Sequence, residues 1–166
     1  MEWGVASPET MEWLRNYSFD FAQKINDSTV EGLRALMLNY NQEGWSVVKL
    51  MDELQGMYNG WDRTQAEMIA RSETLRASNE GALAAFKSSG YRMKQWYTEL
   101  DGRTCPHCAS MHLKIVGVDE NYWNKGDVMS VVGPDGQVSN LALNYSDVRS
   151  GELHPNCRCT ILPVVE

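Results

Sequence analysis

The chain has 166 residues, a net charge of −7 and 43% hydrophobic content, with six Trp and seven Tyr as bulky core material. That balance excludes a disordered tail, a collagen-like repeat and a mini-protein too small to bury a core. The acidic sign argues against a surface that wraps nucleic acid, which shows as a net basic domain. No apolar run approaches the ~18 residues of a membrane span, and the N-terminus lacks the basic-then-apolar layout of a signal peptide, so a soluble protein is expected.

Helices are expected through the first ninety residues. Ser7-Pro8-Glu9 reads as an N-cap with Pro at the first helical position, ahead of a stripe of Trp13, Leu14, Tyr17 and Phe21. Ser28 and Glu31 form a capping box before Val30, Leu33, Leu36, Met37 and Tyr40 at helical spacing. Ser46 is placed to cap a third helix carrying Val47, Leu50, Met51 and Leu54, broken by Gly56, Asn59 and Gly60. A longer helix is predicted from Trp61 to about residue 89, ending at Gly90. Its apolar face is read through Trp61, Met68, Leu75, Leu83 and Phe86, with Gln65, Ser72 and Asn79 on the same side as buried hydrogen-bonding or exposed positions.

The period changes after Gly90. Residues 91–100 and 113–118 alternate loosely, and Val128–Val132 is an apolar run. Gly133-Pro134-Asp135-Gly136 is turn chemistry that predicts a hairpin with Gln137-Val138, and 160–165 is a last β-prone stretch. The expected fold class is α+β: a helical lead-in over 1–60, then a core over 61–166 made of the long helix and a small β-rich module from 91 to 166.

All four cysteines and all three histidines lie between positions 105 and 159. Cys105-Pro106-His107-Cys108 is a C-x-x-C turn, which brings two thiolates to one tetrahedral ion, and zinc favours sulfur and imidazole. Further ligands must come from His154-Pro155-Asn156-Cys157-Arg158-Cys159. His154 and Cys157 have chelating spacing, and in an extended stretch Cys157 and Cys159 share a face with Arg158 on the other. The first-choice set is Cys105, Cys108, His154 and Cys157, with Cys159 in reserve; an all-cysteine set with Cys159 in place of His154 stays open. Four protein ligands leave no position for water, the mark of a structural site that ties the ends of a loop-rich module. Asp101 and Arg103 precede the turn as candidates to orient it by hydrogen bonds, with a plain turn role for Asp101 as the alternative. No catalytic residue is assigned.

Other cysteine chemistries fit less well. Disulfides are less expected without a secretory signal. Cys-Pro-His-Cys also frames thiol-disulfide oxidoreductases, the alternative function. That chemistry needs the first cysteine at a helix N-terminus in a βαβ unit, and residues 109–116 leave little room for a helix. Nucleobase deamination needs H-x-E before P-C-x-x-C, and zinc hydrolysis needs H-E-x-x-H; neither pattern occurs.

Three ordered segments carry a resemblance. Ala66-Glu67-Met68-Ile69-Ala70-Arg71-Ser72-Glu73-Thr74 resembles the IARTE helix motif of the phage Mu F-like minor head proteins, with Ser72 in place of the usual Thr. Residues 96–108 are similar to their W-x-T-x-x-D-x-R-T-C-x-x-C segment, and residues 154–159 to their closing H-P-x-C-R-C. The resemblance implies a minor capsid component of phage head morphogenesis with no enzymatic reaction, located in the virion head and in host cytoplasm during assembly. Its implied partners are the portal and other capsid proteins, with packaged DNA as a further contact and neither a membrane nor a small-molecule substrate. Arg71 and Glu73 do not share a helix face, so Arg71 is paired with Glu67 one turn earlier.

Overall fold

The computed structural model describes residues 8–17, 27–58, 62–144 and 146–165. The chain divides into two compact units, Met1–Ala84 and Ala85–Glu166. Among the described residues no helix is long and apolar enough to cross a membrane.

The first unit is helical: α1 (Pro8–Asn16), α2 (Asp27–Glu43), α3 (Val47–Met57) and most of α4 (Arg63–Ser88). Pro8 opens α1, where its missing N–H costs nothing. The side chain of Ser28 and all of Ser7, Phe21 and Trp61 lie outside the described residues; α2 is described from Asp27, which puts Ser28 inside its first turn. Ser46 caps α3 as expected, its Oγ accepting the Lys49 N–H at 3.1 Å. Leu14, Leu33, Met37, Leu50, Leu54 and the alanines at 66, 70 and 77 form one core cluster. Gly32 allows close approach, because a Cβ there would lie 2.8 Å from Met57 Sδ and 2.9 Å from the Tyr58 hydroxyl.

Helix α4 bears out the expected face at Leu83 and Phe86, which are buried, and corrects it at Met68 and Leu75 and at its start. It begins at Arg63 behind a cap that the sequence reading passed over: Asp62 Oδ1 accepts the Gln65 N–H at 2.8 Å. Its buried side is lined by Ala66, Ile69, Ala70, Glu73, Ala77 and Glu80, together with Ser72 and Asn79, whereas Gln65 is exposed and Met68 and Leu75 are half-buried. Alanines let a backbone approach closely, so small residues share the inner side of α4 with Ile69, Leu83 and Phe86. Arg71 pairs with Glu67 at 2.7 Å, as the i, i+4 spacing requires. Glu73 is buried and meets Arg76 at 3.1 Å, while Arg76 also donates to the Tyr17 hydroxyl. Burial outweighs that cation and raises the Glu73 carboxyl to about 7.

The second unit begins in the last turn of α4. Gly90, at φ +80°, donates to Lys87 O and Tyr91 donates to Phe86 O, both at 3.0 Å, and the Phe86 and Tyr91 rings meet edge to face: a Schellman cap. Strands β1 (Met93–Tyr97), β2 (Ile115–Gly117) and β5 (Thr160–Pro163) form an antiparallel sheet ordered β2-β1-β5. The expected hairpin is β3 (Val128–Val132) with β4 (Val138–Ala142), closed by Gly133 N–H to Gln137 O at 2.8 Å, with Gly136 at φ +76°. Its outward valines, Val128, Val132 and Val138, are exposed. Much of the remainder is loop, pinned by a bridge between Trp123 and Val148. The inner side of β1 presents Trp96 and Lys94. Lys94 Nζ donates to Val118 O at 3.1 Å and Glu120 O at 2.7 Å, and lies 5.4 Å from the Tyr122 ring centre. Its charge is thereby used to fold the 118–122 loop onto the sheet.

Candidate metal centre

The two Cys/His segments meet because β1 and β5 are neighbours. Tyr97 pairs with Thr160, so the chain leaving β1 at Thr98 runs beside the chain entering β5 at Cys159. Thr98 Oγ1 lies 3.4 Å from Cys159 Sγ, donates to Cys108 O at 3.0 Å, and accepts the Trp96 indole N–H at 3.1 Å. A buried threonine therefore links both segments.

Past Thr98, residues 99–104 form a tight turn: Thr104 N–H donates to Asp101 O at 3.0 Å and its hydroxyl donates to Glu99 O. Cys105 then acts as the N-cap of a six-residue helix, α5 (Pro106–Met111), its Sγ accepting the Cys108 N–H at 3.3 Å. This corrects the expectation that the segment leaves little room for a helix; Pro106 at N1 and a sulfur cap start one within a single turn. The flanking strands β1 and β2 are antiparallel, so the βαβ frame of a thioredoxin-like site is not formed.

The second segment is built as a turn. Cys157 N–H donates to His154 O at 3.1 Å, and Asn156 sits at φ +62°. Pro then Asn at the two central positions suits a type II turn, with Asn tolerating the left-handed backbone. His154 Nδ1 faces Pro155 O at 2.8 Å, and because a carbonyl only accepts, Nδ1 carries the proton. Nε2 lies within hydrogen-bond reach of two sulfurs, 3.2 Å from Cys105 Sγ and 3.3 Å from Cys108 Sγ. Cys157 and Cys159 are buried while Arg158 is exposed, in keeping with strand alternation.

The ligand atoms form two overlapping groups, Cys105/Cys108/His154 and Cys108/Cys157/Cys159, each mutually within 4.8 Å. Cys108 belongs to both, with Cys157 Sγ at 3.5 Å, and among the described residues no four of the five atoms close within that limit together. No disulfide joins any of the four cysteines. Packed sulfurs resist sharing negative charge. Hydrogen bonds to Cys157 and then Cys159, with burial, push the Cys108 thiol far above its ordinary range, whereas hydrogen bonds from Cys108 and Cys157, helped by Thr98 and Trp96, draw Cys159 down to about 3. Each group of three, two sulfurs with the imidazole or three sulfurs, is close enough to hold a metal ion, and the donors are those of a borderline-soft cation.

Asp101 does more than turn the chain. Its carboxylate accepts the Arg103 N–H at 2.9 Å and forms a two-pronged pair with Arg158, at 2.9 and 2.6 Å. The Arg158 guanidinium, then the Arg103 N–H, hold the Asp101 carboxyl well below the usual range. The sequence reading named Asp101 and Arg103 but missed Arg158, whose partner lies 57 positions away. The other histidines serve the fold: His107 Nε2 donates to Ser139 O at 3.2 Å, and His112 Nδ1 accepts the Thr98 N–H at 3.2 Å.

No curated protein and no solved structure matches the chain. A family model described as Phage Mu protein F like protein matches residues 23–162, which takes in both Cys/His segments and the helix motif on α4. The chain therefore belongs to the phage Mu protein F-like family of head morphogenesis proteins.

Proposed function

We propose that the protein is a minor component of the phage head that acts during head assembly near the portal, and that one structural zinc ion fixes the shape of its C-terminal unit. Residues 61–166 form the head-morphogenesis core and 1–60 a helical lead-in. The ion is held by Cys105, Cys108, His154 and Cys157, with Cys159 beside them. The observation that carries this reading is the convergence of donors separated by 46 to 49 positions onto Cys108, in a unit rich in loops. A zinc ion there supplies short bonds that cross-link the Cys105–Cys108 turn to the His154–Cys159 turn, and four protein ligands leave no place for water to react. Portal and other capsid proteins are the partners, packaged DNA is a further contact, and the virion head is the location, with host cytoplasm during assembly.

Metal analysis of the native protein tests the zinc centre: one tightly bound equivalent per chain is expected, lost together with the fold of the C-terminal unit in Cys105→Ser. A folded, metal-free protein overturns it. Co-purification with assembled heads, and failure of head assembly when the gene is removed, test the assembly role. The position of Cys105 at the start of α5 favours one second reading, thiol-disulfide exchange. Turnover of a model disulfide by the metal-loaded protein supports it, and an inert, chelated thiol removes it.

A further inference from the structure

Resting on the metal reading above, we propose that Asp101 and Arg158 are positioning residues for the metal centre. Their pair clasps the two Cys/His turns together and so raises the affinity for the ion without ligating it. The pair spans 57 positions and encloses all four ligands of the proposed set, since Asp101 stands four positions before Cys105 and Arg158 one position after Cys157. Two guanidinium nitrogens bind the carboxylate, at 2.9 and 2.6 Å, a geometry that fixes direction as well as distance. Each end is anchored in its own turn. Asp101 Oδ1 also accepts the Arg103 N–H at 2.9 Å, and its backbone O accepts the N–H of Thr104, the residue before Cys105, at 3.0 Å. Arg158 stands outward between Cys157 and Cys159, whose side chains are buried. The clasp therefore joins the two turns without using a ligand atom.

An ion that joins Cys108 to Cys157, or Cys105 to His154, closes 49 positions of chain. Pairing of Tyr97 with Thr160 shortens that path to about 14 positions, and the Asp101–Arg158 pair shortens it again to about eight. Closure weakens with the three-halves power of path length, so the pair favours it about twofold over the sheet alone and about fifteenfold over an open chain. Arg103 does not duplicate this. Its guanidinium lies 3.7 Å from the same carboxylate, but it belongs to the same turn as Asp101 and links nothing distant. A pure field effect has a different signature. The Asp101 anion favours a nearby cation and the Arg158 cation disfavours it, so through charge alone their removal shifts affinity in opposite directions. A clasp loses the same amount from either end.

Zn2+ affinity of the reduced full-length chain, measured by competition with a chromophoric chelator, tests this. Asp101→Asn keeps an acceptor for the Arg103 N–H, so the turn survives, and Arg158→Met keeps the side-chain stem. Each is expected to weaken binding by a similar factor, between about twofold and fifteenfold. The double variant is expected to bind no more weakly than either single one, because one contact is lost in all three. With Co2+ in place of Zn2+, the absorption bands of every variant should match the parent's, since the ligands are unchanged. Arg158→Lys, which keeps the charge but loses the two-pronged contact, serves as the second variant should the methionine form fail to fold, with far-ultraviolet circular dichroism as the check. Shifts of opposite sign in the two single variants, additive losses in the double variant, altered Co2+ bands, or parent-like affinity in both single variants overturns the clasp. Failure of the parent chain to bind Zn2+ at all is a separate outcome, and it overturns the metal reading itself.

Discussion

In the helical unit Leu14, Leu33, Leu50 and Leu54 meet the alanines of α4 in one apolar cluster, whereas in the C-terminal unit the buried residues are spread along short strands and loops. Three of those residues are cysteines and one is Lys94. The first unit is held mainly by area removed from water. The second joins distant loops through point attachments: a sulfur cluster, an ammonium on two carbonyls, and the Asp101–Arg158 pair. Apolar packing spreads stability over many residues. Point attachments concentrate it, so single changes in the second unit are expected to act like cuts.

The widest separation of the two units should come from metal removal. A strong chelator is expected to unfold residues 85–166 while the helices of the first unit persist, and structural zinc in small modules is linked to on the order of 10 kcal/mol of apparent folding free energy. Hydrogen exchange read unit by unit checks this; equal protection before and after chelation breaks the comparison.

The next effect lies in the helical unit, at the buried acid Glu73. Burial raises the Glu73 carboxyl to about 7, above its unfolded value, so its stabilising contribution is complete below about pH 4.5 and is lost as pH rises through about 7. Glu73→Gln is expected to flatten that dependence. Denaturant midpoints at pH 5 and pH 8 measure it, and an unchanged slope would show that Glu73 ionises freely.

Lys94→Met keeps the stem but abandons the carbonyls of Val118 and Glu120, with an expected loss of about 2 kcal/mol, confined to the second unit. A thermal scan followed by Trp fluorescence reads it. Ser46→Ala removes one cap from α3 and should cost only about 1 kcal/mol, since the apolar cluster persists around it. An effect as large as that of Lys94→Met would show that the helical unit also depends on single polar contacts.

Local signals in the sequence were legible wherever a short stretch decides its own geometry. The Ser46 cap, the glycine end of α4, the hairpin around Gly133–Gly136 and the alternation that buries Cys157 and Cys159 all follow from a few neighbouring residues. The α4 face was read correctly at Leu83 and Phe86 but not at Met68 and Leu75, because bulk was equated with burial while the inner side also takes alanines and even an acid beside Arg76. The α5 helix was missed because a sulfur cap with Pro behind it is a short signal, easily hidden beside a β-prone stretch.

Sequence alone determined the class of fold, the family motifs and five candidate donors, because residue type and spacing dictate helix, strand and ligand chemistry locally. Only the tertiary structure decided which donors meet. The antiparallel pairing of β1 with β5 brings Thr98 beside Cys159, makes Cys108 common to two groups of ligand atoms, and joins Asp101 to Arg158. Contacts across more than forty positions depend on strand order and register, which no local pattern fixes.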